Sequence, residues 1–134
     1  MKYVRKNSVS RVGHGLQAEE KVSLKLGALG LRNKRMTFKH PFDIELENGK
    51  RIDVKVATVA GKINVGVHKY EFYRFYMAKS KKQDFTDFFI LVVGDTYYVI
   101  PYDVAPNDAL FLYNTGYKKN TKWSKYLNAF HLLW

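Results

Sequence analysis

Across residues 41–57 the chain alternates apolar and polar positions in two short runs. Ile44 and Leu46 alternate with Asp43, Glu45 and Glu47; Ile52, Val54 and Val56 alternate with Arg51, Asp53 and Lys55. A period of two marks strands with one buried face, and Asn48-Gly49 between the runs predicts a hairpin. Loop length then sets the register. A two-residue loop would put Leu46 opposite Arg51 and Ile44 opposite Asp53, mixing apolar and charged side chains on both faces. A three-residue loop, Glu47-Asn48-Gly49 with Gly49 left-handed, puts Ile44 opposite Ile52, Glu45 opposite Arg51 and Asp43 opposite Asp53. One residue of slip turns every side chain to the other face, so the face pattern selects the three-residue loop.

Upstream, the period is helical. Ala18, Val22, Leu26 and Leu29 form an apolar stripe after Gly13-His14-Gly15, and Gly30 stands where a helix stop belongs. Residues 1–12, with Lys2, Arg5, Lys6 and Arg11, read either as a basic arm against phosphates or as a plain leader. Residues 58–69 read as a loop or irregular hairpin with two glycines, and residues 70–77 as an aromatic strand. Residues 87–93 and 96–100, joined by a turn at Gly94-Asp95 and closed by Pro101, predict a second antiparallel pair. Its unbroken apolar run implies burial on both faces. From Ser124, the stripe Leu127, Phe130, Leu133 and Trp134 predicts a helix that packs in the core or forms a subunit interface. The expected fold class is α/β: one domain over residues 1–134, with a mixed central β-sheet flanked by helices.

Composition narrows the partner. With 23 basic and 12 acidic residues the net charge is +11, which favours a polyanion, most often nucleic acid. A merely soluble basic protein, an acidic protein partner or an anionic membrane are the alternatives, and no basic amphipathic helix of the membrane-surface type stands out. The absence of cysteine excludes disulfides and thiolate metal sites and is compatible with a reducing cytosol. The longest apolar run, residues 88–93, is too short to span a bilayer, and the N-terminus has no apolar signal core.

The hairpin register has a chemical consequence. Asp43 and Asp53 become cross-strand neighbours, roughly 5 Å apart at Cβ, with Lys55 next on the same face. Two such carboxylates repel, and one resists ionising unless a cation lies between them. Oxygen ligands suit a hard ion such as Mg²⁺, and a lysine beside it can orient a water or stabilise charge on a phosphate. The same residues also suit a solvated strand face, and Glu19-Glu20-Lys21 repeats the acid-x-Lys spacing. Glu19 lies at the edge of the helical stripe, whereas Glu20 points about 100° away. Glu19 either faces the hairpin and helps complete a metal shell, or is, with Glu20, a surface carboxylate favoured at a helix start. Candidate phosphate contacts are Arg11, Lys62, His68, Lys69, Lys81, Lys82, Lys118, Lys119 and Lys122, the last three beside Tyr117 and Trp123. No two histidines show metal-ligand spacing.

The spacing Gly15-x-x-Ala18-Glu19-x-x-Val22, with Leu26 and Gly30 behind it, resembles the first helix of PD-(D/E)XK nucleases. Pro41-Phe42-Asp43, nine intervening residues, then Asp53-Val54-Lys55 resembles their metal-binding hairpin. The likeness is to small single-domain members, the archaeal Holliday-junction resolvases and the intron-associated homing endonucleases, and covers roughly residues 13–101. Two departures stand out: Phe42 is inserted before Asp43, and the middle acid is Asp53 rather than glutamate.

The resemblance implies a restriction-endonuclease-like core in which Asp43, Asp53 and the Val54 carbonyl bind Mg²⁺, with Mn²⁺ as a substitute. It also implies that Glu19 contacts the metal directly or through water. Lys55 would position the attacking water for hydrolysis of a phosphodiester in duplex or branched DNA. A cytoplasmic protein of prokaryotic, archaeal or phage origin is implied, as is a homodimer or homotetramer, since one active site cuts one strand. Competing readings are a structure-selective junction resolvase and a basic nucleic-acid-binding domain whose acids no longer catalyse. A pure binding module would not require the acids together with Lys55.

Overall fold

The computed structural model describes residues 2–37, 39–57, 59–66, 68–79, 85–113 and 122–134; the side chains of residues 2–14, 59–60, 62–65 and 68–71 lie outside that description. Helix α1 spans Lys2–Ala28. It runs through residues 2–12 and Gly13-His14-Gly15, where an arm or leader was expected before the helix. A glycine inside a helix costs only about 1 kcal/mol, and no proline interrupts the segment. Ala18, Val22 and Leu26 are buried as their spacing requires, whereas Leu29 is exposed. The helix has ended by then: Gly30 donates to the Gly27 carbonyl and Leu31 to the Leu26 carbonyl, with Gly30 at φ 90°. That pair of bonds closes a helix through a left-handed residue, and Leu31 then packs beside Leu26 in the core.

Eight strands follow among the described residues: β1 (Asn33–Arg35), β2 (Ile44–Leu46), β3 (Arg51–Val56), β4 (Val59–Val65), β5 (His68–Tyr76), β6 (Phe88–Val93), β7 (Thr96–Pro101) and β8 (Ala109–Tyr113). The larger sheet has the order β1-β2-β3-β6-β7, and β4-β5-β8 form a second sheet of three strands. All pairings are antiparallel except β3 with β6, so the larger sheet is mixed, as expected. Parallel neighbours need a long crossover; here it carries β4 and β5. Residues 58–69, read as a loop or irregular hairpin, belong to that β4–β5 pair, and β8 had no anticipated counterpart.

The central strands are buried on both faces. Ile44, Leu46, Ile52, Ile90 and Val99 pack with Val22 and Leu26 of α1. Phe89, Leu91, Tyr98 and Ile100 pack on the other side against Phe75 of β5 and Leu110 and Leu112 of β8. The smaller sheet therefore covers the face opposite the helix. The C-terminal helix expected from Ser124 does not form; 3-10 turns span Ser124–Tyr126 and Phe130–Leu133. Between them Leu127 bridges to Tyr98, and Asn128, at φ 51°, donates to the Tyr97 carbonyl. Pairing with the edge of β7 thus wins over helical continuation, leaving Leu127 and Trp134 exposed while Phe130 and Leu133 are buried. Among the described residues no helix is long and apolar enough to cross a membrane.

Candidate active site

The hairpin adopts the three-residue loop that its face pattern selects. Ile44 pairs with Ile52 and Glu45 with Arg51. Leu46 donates to the Lys50 carbonyl at 2.8 Å and Gly49 to the Leu46 carbonyl at 2.9 Å, with Gly49 at φ 91°. The ladder ends at Ile44 with Ile52, one residue short of the expected Asp43–Asp53 pair: the Asp43 N–H donates to that same Ile52 carbonyl at 2.9 Å. Asp43 Oδ2 accepts the Val54 N–H at 2.7 Å. Asp53 is only 2% exposed, and Lys55 Nζ stands 3.0 Å from its Oδ2.

The two carboxyls are close enough to hydrogen-bond to each other, and the Asp43 carboxyl is pushed up to about 7. Burial is the main cause and the charge of Asp53 the next. The Val54 N–H works the other way, since it favours the ionised form, while Glu19 adds a third negative charge to the neighbourhood. Two buried carboxyls this close, one of them holding a proton near neutral pH, offer oxygen ligands of the kind a hard divalent cation takes.

Glu19 is the helix carboxylate turned toward this pair; Glu20 is exposed. Burial raises the Glu19 carboxyl, Arg35 opposes that rise, and the charge of Asp53 adds to it. Arg35 Nη2 lies 3.7 Å from Glu19 Oε1 and donates to the Leu16 carbonyl at 3.1 Å. Arg35 had no signal in the sequence, because β1 is three residues long and has no period to read. Its position beside the site is set by the ladder: Arg35 pairs with Ile44, and the next N–H, of Met36, donates to the Asp43 carbonyl at 2.8 Å.

Among the described residues no three His, Asp or Glu side chains gather closely enough to hold a metal ion by themselves. The geometry instead offers a two-carboxylate site, Asp43 with Asp53, beside which Glu19 is engaged by Arg35. A cleft of about 390 Å³ over the outer strands, between Arg32, Lys34, Glu45 and Glu47, includes none of these acids.

Most of the expected phosphate contacts lie beyond the description. Lys81, Lys82, Lys118 and Lys119 fall outside the described residues, and Arg11, Lys62, His68 and Lys69 have side chains outside it. Lys122 is exposed, its Nζ 5.2 Å from the centre of the Trp123 ring.

One long helix, an acid-bearing hairpin and a parallel partner strand for β3 define the arrangement. The fold is similar to that of the bacterial homing endonuclease I-Ssp6803I. The likeness covers 89% of each chain with a TM-score of 0.62 and 16% sequence identity. The mixed sheet and its helix are thus an endonuclease-like fold. No family model matches the chain, and no curated protein is similar to it in sequence. The likeness to I-Ssp6803I is thus one of backbone path.

Proposed function

We propose that this chain is a Mg²⁺-dependent DNA endonuclease of the PD-(D/E)XK type, acting as a homo-oligomer. The observation that carries the reading is the meeting of Asp43, just before β2, with Asp53 of β3, and Lys55 Nζ 3.0 Å from Asp53. Mg²⁺ is commonly held by one or two carboxylates, with waters and substrate phosphates filling the remaining positions. Asp43 and Asp53 fit that demand, the Val54 carbonyl is the third protein ligand in this reading, and Glu19 contributes through water. Bound Mg²⁺ supplies Lewis acidity and neutralises charge on the phosphodiester.

The chain's own groups do the positioning. Asp53, buried, fixes Lys55 by their ion pair, so that the ammonium can hold the attacking water in line with the scissile bond. Asp43 is oriented by the Val54 N–H, which donates to its Oδ2. The net charge of +11 holds the polyanion. The likeness to a homing endonuclease favours duplex DNA over a four-way junction as the substrate, and two copies would serve the two strands.

Incubation of the purified protein with plasmid and with a four-way junction, with and without Mg²⁺, tests the reading. Cleavage of the plasmid should appear with Mg²⁺ and vanish with a chelator. Asp53→Ala should abolish cleavage while leaving DNA binding intact or tighter, because it removes negative charge. Equal cutting by clean preparations of parent and Asp53→Ala would refute the nuclease assignment, and preferential cutting of the junction would move the substrate to branched DNA.

A further inference from the structure

Arg35 stands beside the acids without being consumed by them. Its guanidinium meets α1 through Nη2, which donates to the Leu16 carbonyl at 3.1 Å and lies 3.7 Å from Glu19 Oε1. The second distance exceeds that of an N–H···O hydrogen bond. Among the described residues Nε and Nη1 take part in neither contact, and the side chain is 36% exposed. An arginine serving only to clamp helix to strand would close on the carboxylate in the bidentate manner. This one, partly exposed and monodentate among the described residues, stands on an edge strand one residue from the backbone bond to Asp43.

Charge decides what that guanidinium is for. Glu19, Asp43 and Asp53 are three negative groups, while Arg35 and Lys55 are two positive ones. Fully ionised, the cluster is one unit negative and repels phosphate. One divalent cation reverses this to one unit positive, matching one phosphodiester. Without Arg35 the same loaded cluster would be neutral. Arginine is also the side chain whose donor geometry fits phosphate oxygens.

We propose that Arg35 is a phosphate ligand of this site, gripping the DNA backbone beside the acid pair; the inference rests on the nuclease reading above. The test is a duplex-binding titration in Ca²⁺ over a series of KCl concentrations, with a short duplex of mixed sequence as the probe. Each phosphate contact contributes about 0.9 to the slope of log affinity against log salt. Arg35→Gln should lower that slope by about one and weaken binding several-fold. Arg35→Lys, which keeps the charge, should retain the slope, and Lys25→Gln, at the far end of α1, should match the parent.

A folded Arg35→Gln protein with the parent's slope would overturn the inference, as would an equal loss in Lys25→Gln. Should Arg35→Gln not fold, the double variant Glu19→Gln/Arg35→Gln, which removes the pair as a unit, is read in the same titration. It should show the same loss of slope, and the parent's slope there would overturn the inference as well. A parent protein that does not bind the duplex at all would instead sink the nuclease reading. The two failures are therefore distinct.

Discussion

Asp43 carries a penalty that the fold sets up and a cation can lift. Its carboxyl stands near 7 in the folded chain against an ordinary value of 3.8. Between about pH 4 and pH 7 the folded chain therefore keeps a proton that the unfolded chain has released. A group that binds more protons when folded loses stabilising effect as pH rises, so this contribution declines across that window. Asp43→Asn removes the charge but can keep an acceptor for the Val54 N–H. The metal-free variant should match the parent at pH 4 and exceed it by on the order of 2 kcal/mol at pH 8. Thermal melts across pH measure the gap, and Mg²⁺ should narrow it by stabilising the parent alone. Lys55→Ala should act in the opposite sense. It strips the cation from a carboxylate that is 2% exposed, at a cost of about 3 kcal/mol, read as a drop in the urea midpoint. The same substitution should remove cleavage.

The acid-bearing hairpin was legible in the sequence because two independent signals agree there. Alternation from Asp43 to Val56 sets the faces, and Gly49 supplies the left-handed turn that the resulting register demands. Gly49→Ala forces a side chain into φ 91° and should cost about 1 kcal/mol, whereas Gly49→Asn should cost less; chemical denaturation separates the two. The buried pair β6–β7 was legible for the same kind of reason, a continuous apolar run broken by Gly94-Asp95. Where only one weak signal exists, reading fails. The stripe from Leu127 to Trp134 has helical spacing, but the free edge of β7 captures Leu127 and Asn128 and bends the segment into separate turns. Helix α1 starts earlier than its apolar stripe, since residues 2–12 show no apolar period of their own. Arg35 was invisible because β1 owes its place to pairing with β2 rather than to any pattern within Asn33-Lys34-Arg35.

At the scale of the whole molecule, the sheet combines neighbours of very different origin. Strand β3 meets β2 across a three-residue loop, but its parallel partner β6 begins at Phe88, after the chain has built β4 and β5. The proposed oligomer has a direct check: light scattering after size-exclusion chromatography should give at least twice the 15.7 kDa of one chain, and the cleaved plasmid should be linear rather than nicked. Distant pairing also has a consequence for the order of events. A hairpin can form within microseconds, yet burial of Asp53 must await a strand delivered from far along the chain, the slow kind of closure. During refolding, affinity for a divalent ion should thus rise in step with the tertiary signal, lagging the earliest β-structure, so a luminescent lanthanide would serve as a clock for the arrival of β6.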